Sequence, residues 1–318
     1  MQIRKLLPSL LIINIFLSAF FVYAETAQEY LNRGAANHAK GDYLQAIADY
    51  TKAIELKADL ADAYANRGVV YAIQGNLAQA VVDLTKAIEL NPNYAKAYAD
   101  LGSVYREQGN YAQAITDLTK AIALNPDYAR AYADLGGVYY EQGNYIQAIT
   151  VLAKAIELEP GYAKAYSDRG SAYCKQNNYA QALIDFNKAI ELEPDLAQAY
   201  AGRGAVDCAQ GNIDQAIADD TTAIQFKPDF AEAYNNRGFA YESQGNHPQA
   251  LADYNKAIEL KPEAGVYYNR SLVYYALNNH RLALDDVRMA EELGYAVPSD
   301  FLEKLKTNSD RNNLPDHQ

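Results

Sequence analysis

The sequence predicts an all-α protein built as a solenoid of antiparallel helix hairpins. Three observations carry that reading: a 34-residue period that runs eight times through the chain, small and aromatic residues recurring within each period at helical spacing, and glycine or proline at the junctions. Composition agrees. Half of the 318 residues are apolar, and among them stand 55 Ala and 28 Tyr against 8 Phe and no Trp. Alanine favours helix and close helix packing, and tyrosine supplies bulk with a polar tip. Eighteen Gly and ten Pro are too few for collagen or a low-complexity chain. At about 150 residues per domain the length would suggest two globular domains. A repeat replaces those two cores by one continuous stack.

Residues 1–24 are a separate segment. Arg4 and Lys5 precede an apolar run from Leu6 to Val22, and Val22-Tyr23-Ala24 stands before the polar Glu25-Thr26. A basic start, an apolar stretch and small residues before the cut read as a secretory signal peptide cleaved after Ala24. The alternative is an uncleaved membrane anchor, but the run carries Pro8, Ser9, Asn14 and Ser18 and falls short of the roughly 20 apolar residues needed to span a bilayer. No cysteine lies near the cut, which argues against a lipoprotein. The expected mature protein is exported, periplasmic or secreted, with 26 basic and 40 acidic residues and a net charge of −14.

Eight units follow, at 27–60, 61–94, 95–128, 129–162, 163–196, 197–230, 231–263 and 264–297, the seventh one residue short. Tyr stands fourth in all eight, from Tyr30 to Tyr267, and Gly stands eighth in seven, with Ser271 in the last. Ala fills positions twenty and twenty-seven throughout, from Ala46 and Ala53 to Ala283 and Ala290. Positions four, eight and eleven, and then twenty, twenty-four and twenty-seven, are spaced as one face of a helix, so each unit holds two amphipathic helices. Between them position fifteen is Gly in six units and Asn177 or Asn278 in the others, the residue types that accept the left-handed conformation closing a helix. Pro at position thirty-two in six units ends the second helix. One such hairpin cannot bury its apolar stripes alone, so neighbours must stack. After the eighth unit, residues 298–307 read as a capping helix with Phe301, Leu302 and Leu305 on one side, and 308–318 as a disordered tail.

This skeleton resembles the tetratricopeptide repeat (TPR) family, whose W-x2-L-G-x2-Y, A-x3-F, A and P pattern is matched with Tyr for Trp. The resemblance covers residues 27–297 and implies a right-handed superhelical solenoid. One departure is informative: position seven, usually Leu, is Arg33, Arg67, Arg169, Arg203, Arg237 and Arg270 in six units. Each of those units has Asp at position twenty-three: Asp49, Asp83, Asp185, Asp219, Asp253 and Asp286. Leu135 accompanies Val151, while Leu101 with Asp117 breaks the correlation. The pattern predicts a bidentate Arg-to-Asp pair tying the first helix to the second.

The sequence offers no catalytic machinery. Four histidines lie in distant places, and no metalloprotease, nucleophile-elbow or phosphate-loop motif occurs. Acidic residues recur at positions twenty-three and twenty-nine beside Lys at twenty-six, a pattern expected of a solvated helix face with local ion pairs. We therefore expect no enzyme, no metal and no cofactor, and the net charge of −12 argues against nucleic acid as partner. Cys174 and Cys208 are both twelfth in adjacent units; helices pack 8–10 Å apart while a disulfide wants alpha carbons within roughly 7 Å, so two free thiols are expected, with a bridge formed in an oxidising compartment as the alternative.

The family resemblance implies a concave groove lined by positions two, five, nine, twelve and thirteen of the first helices, where peptides bind. Carried over, it gives a basic ladder of Lys96, Arg130 and Lys164 with Arg106 and Lys175 nearby, and Tyr140 within it. The ladder suits an acidic segment or a C-terminal carboxylate; the competing reading is a solvated mixed-charge face. Phe239, Tyr268, Leu272 and Tyr275 form an apolar and aromatic patch in the last two units, suited to anchoring a partner or to being covered by the terminal helix. The carboxylate clamp that holds chaperone tails is not supported: Asn66 and Lys96 match it, whereas Leu31, Ala35 and Asp100 do not. The expected function is an exported scaffold or adaptor that binds a protein or peptide segment; the competitor is an envelope component anchored by an uncleaved leader. The sequence does not fix the oligomeric state.

Overall fold

A computed structural model of the chain describes residues 25–312. The expected signal peptide, residues 1–24, lies outside the described residues, as do residues 313–318. The described residues hold seventeen helices and no strand, so the all-α expectation stands. They fall into two compact units, residues 25–138 and 139–312.

The first unit holds repeat one (Ala27–Ala39 and Tyr43–Leu56), repeat two (Ala61–Ile73 and Leu77–Leu90), repeat three (Ala95–Glu107 and Tyr111–Leu124) and most of the helix Ala129–Glu141. The second unit continues with Tyr145–Leu158 of repeat four. Repeat five follows (Ala163–Lys175 and Tyr179–Leu192), then repeat six (Ala197–Ala209 and Ile213–Phe226), repeat seven (Ala231–Ser243 and His247–Leu260) and repeat eight (Ala264–Ala276 and His280–Glu292). A last helix, Ser299–Asn312, closes the second unit. In repeats one to three and five to eight the two helices pack on each other. Within each unit the second helix also packs on the first helix of the next repeat, through repeats one to three and from Tyr145–Leu158 onward.

The repeat positions explain this packing. All sixteen alanines at positions twenty and twenty-seven are fully buried. The methyl side chain lets backbones approach, and the larger residue at position twenty-four fills what remains. A Cβ built on Gly102 would lie 2.7 Å from Leu118 Cγ, so only glycine admits that leucine. Each such fully buried Leu contributes roughly 1.5–3 kcal/mol relative to exposure. The eight turns at position fifteen all have positive φ, including Asn177 and Asn278 at 58°, which is why Gly or Asn alone stands there. The next residue, Asp42 or Asn, caps the second helix. In repeats one, two, three and five its side chain accepts from the backbone N–H of a Gln three residues on, and in repeat eight Asn279 accepts from Leu282.

The terminal helix packs on repeat eight through Phe301 and buried Leu305, against Ala283 and Val287. It runs to Asn312, past the expected end at 307, so residues 308–312 are helical where a tail was expected. Continuation of the i to i−4 backbone bonds carries the helix beyond its apolar contacts.

Candidate protein-interaction face

Six Arg-to-Asp pairs fix the hairpins that carry the face. Arg67, Arg169, Arg203, Arg237 and Arg270 each place Nε and Nη2 on the two oxygens of the Asp sixteen residues on, at 2.6–2.9 Å. Arg33 differs: Nε and Nη2 both donate to Asp49 Oδ1, and Nη1 donates to Glu25 at 2.6 Å. The Asp at position twenty-three is buried in all six, which corrects the expectation of a solvated face there; burial is tolerated because the guanidinium supplies both donors. Position twenty-nine does follow that expectation: Lys52, Lys86, Lys154, Lys188 and Lys256 pair with the Glu three residues on, at the surface.

Two further contacts of these arginines escaped the sequence reading. Each guanidinium lies over the Tyr at position four of its own helix, at 4.5–5.7 Å from the ring centroid. The spare Nη1 also reaches back to the second helix of the preceding repeat: Arg67 to Thr51, Arg203 to Asn187, Arg237 to Thr221 and Arg270 to Asn255. Position twenty-five was the available signal, being Thr or Asn in those repeats and Ala153 before Arg169.

In the first unit, Lys96 and Arg130 are exposed. Arg130 donates to buried Asp100 at 3.1 Å and lies 3.4 Å from Asp134, which also accepts from Ser103. Burial pushes the Asp100 carboxyl up, with Arg130 and Lys96 opposing. Arg106 is half-buried against the next first helix, its Nη1 2.6 Å from where a Gly137 Cβ would stand.

In the second unit, Lys164 is salt-bridged to Asp168 at 2.6 Å, so part of the basic ladder is met by acidic neighbours one helical turn away. Tyr140 packs on Tyr145 with centroids 5.5 Å apart, and burial raises its hydroxyl to about 12. Lys175 lines a polar pocket of about 550 Å³ together with Lys227, Asn235, Asn236, Lys261 and Glu263. Of the aromatic patch, Phe239 remains 48% exposed. Tyr268, Leu272 and Tyr275 pack with the C-terminal segment: the Tyr268 ring stacks on Tyr295, just before the terminal helix, at 4.8 Å, and Tyr268 and Tyr275 meet Phe301 of that helix edge-on. For these three side chains the contacts match the second of the two expected readings, cover by the terminal helix, and each stays partly exposed.

Cys174 and Cys208 are free and half-buried, and burial pushes both thiols up. Among the described residues no group of three or more His, Cys, Asp or Glu is placed to hold a metal ion, and no helix is long and apolar enough to cross a membrane.

Profiles described as TPR repeat match residues 34–75, 102–143, 136–176 and 204–245. Others described as tetratricopeptide repeat match 61–94, 84–116, 163–196 and 231–263. The chain therefore belongs to the tetratricopeptide repeat family, a scaffold fold that suggests protein–protein interaction and whose members are generally non-catalytic. Among solved structures it is similar to a chain of the APC/C hetero-tetramer Cut9-Hcn1, at 18% identity and a TM-score of 0.73, covering 94% of this chain and 59% of that one. It is also similar to a tetratricopeptide repeat protein from Parabacteroides merdae, at 22% identity and a TM-score of 0.61, covering 81% of this chain and 98% of that one. A third likeness is to pilF of Pseudomonas aeruginosa, at 24% identity and a TM-score of 0.57, over 69% of this chain and 96% of that one. Identities this low show the fold alone. No curated protein matches the sequence significantly.

Proposed function

We propose that the protein is an exported scaffold or adaptor that holds a segment of another protein on the faces formed by its first helices. The observation that carries this reading is the division of labour along each repeat. Arginine, aspartate, tyrosine and alanine at fixed positions hold the hairpin, while positions two, nine, twelve and thirteen of the first helices vary and include exposed Lys96, Arg130, Lys164, Lys175 and Phe239. The ligand best suited to the basic positions is an acidic segment or a C-terminal carboxylate. Because Arg130 and Lys164 already have carboxylate partners, each exposed contact adds only about 0.2–1 kcal/mol, and an affinity in the micromolar range, about −8 kcal/mol, is expected.

Calorimetry with acidic peptides bearing a free or an amidated C-terminus tests the reading. Binding that weakens with salt and is lost in the triple variant K96E/R130E/K164E supports it. Equal binding by wild type and variant removes the basic positions from the site. Export is tested separately by sequencing the N-terminus of the protein from its native cell: a start at Glu25 supports a released protein, and a retained leader supports the anchored alternative.

A further inference from the structure

Repeat six carries a substitution that no other repeat shares. Position twenty-four is Tyr50, Leu84, Leu118, Leu152, Phe186, Tyr254 and Val287 in seven repeats, all buried and apolar in bulk. Repeat six places Asp220 there, and the side chain is 1% exposed. No donor of the protein reaches either carboxyl oxygen. Across the hairpin stands Gly204, where a Cβ would lie 3.2 Å from Asp220 Oδ2. Repeat seven buries a polar group at the same position differently, since the Tyr254 hydroxyl donates to Glu242 at 2.9 Å.

Charged and titratable groups act on Asp220 from four helices: Asp219 on its own helix, Cys208 on the first helix of the repeat, Glu232 and Arg237 on the first helix of repeat seven, and Asp253 on the second. Arg237 is the one cation among them, and its Nε and Nη2 are committed to Asp253. Burial first, and then Asp219, hold the Asp220 carboxyl well above the usual range, with Arg237 opposing. An ionised carboxylate in this place would need a donor that the closed hairpin does not supply, or water, which it meets when the hairpin opens.

We propose that Asp220 makes the sixth hairpin a pH-operated joint, closed with the neutral acid inside and opened when the proton is lost. A stack in which each repeat touches only its neighbours permits such local opening without loss of the whole. The closed form binds the proton more tightly than the open form. Closing is therefore favoured fully below the ordinary carboxylate value and is lost as pH rises through the closed-state value, by about tenfold in the opening equilibrium per pH unit for one proton. Acidification tightens repeat six; alkalinisation releases it.

Hydrogen–deuterium exchange of the full chain, corrected for the intrinsic pH dependence of exchange, tests this in wild type, D220N and D220L. Leucine is what repeats two to four carry at this position, so D220L keeps the comparison alive if the asparagine variant folds poorly. The expected result is protection in residues 197–226 that falls by up to about tenfold per pH unit above roughly pH 4 in wild type, is flat in the variants, and leaves residues 61–90 unchanged. A wild-type slope that persists in D220L, or no slope in wild type, overturns the proposal.

Discussion

Arg169 and Asp185, sixteen residues apart, face each other as a parallel fork, Nε to Oδ2 at 2.7 Å and Nη2 to Oδ1 at 2.8 Å. The arginine also lies 5.7 Å from the Tyr166 ring, and the hydrogen bonds to Asp185 hold its charge more firmly despite partial burial. The side chains are 19% and 3% exposed, so removing either partner leaves a largely buried charge.

The first prediction follows from that asymmetry. R169L strands Asp185 and should lower stability by about 3–5 kcal/mol in chemical denaturation. The double change R169L/D185V installs the apolar pair that repeat four carries as Leu135 and Val151, and should recover most of the loss. A double variant no better than R169L would show that the pair is not the source of the effect.

Repeat three holds the same aspartate without its arginine. Asp117 is buried, accepts from Gln113 at 3.2 Å, and burial raises its carboxyl. Its contribution to stability is therefore full in acid and is lost as pH rises through the folded value, and D117N should flatten that decline. L101R should supply the missing donor, with Tyr98 and Thr85 in place for its stacking and third hydrogen bond. A net gain on the order of 1 kcal/mol at neutral pH, vanishing as acid protonates Asp117, is the expected outcome in pH-resolved melting.

The terminal helix should behave as a structural cap. L305A removes a fully buried side chain from the cluster with Tyr268, Leu272 and Tyr275, and should cost about 2–5 kcal/mol. Binding of a hydrophobic dye should rise in parallel. Unchanged stability would return those three side chains to the list of free groove residues.

The two cysteines should titrate as two thiols in unreduced, denatured protein. In the native state both should alkylate slowly at neutral pH and faster as pH rises, because burial disfavours the thiolate. A single slow thiol would mean that the two sites differ in access.

The hairpins were legible because their positions repeat. Gly or Asn at fifteen announced the left-handed turn, alanine at twenty and twenty-seven announced close helix contact, and Arg at seven with Asp at twenty-three announced the pair. What was read less well depends on the third dimension. Asp at twenty-three looked like a surface carboxylate beside Lys and Glu, yet it points inward. Asp220 stood in plain sight at a position otherwise apolar, but only its burial without a donor gives it meaning. The basic ladder was a spacing pattern, and Asp100, Asp134 and Asp168 show how much of its charge is met locally.

The sequence by itself determined that this chain is a row of helix hairpins, since a 34-residue period with small residues at helical spacing has no other way to bury its faces. Tertiary structure alone decided which side chains are spent inside. Tyr268, Leu272 and Tyr275 are partly covered by the cap, and Arg67, Arg203, Arg237 and Arg270 reach both their own repeat and the one before. The physical reason is that periodicity encodes direction along one helix, whereas partners and burial depend on which neighbour arrives at each face.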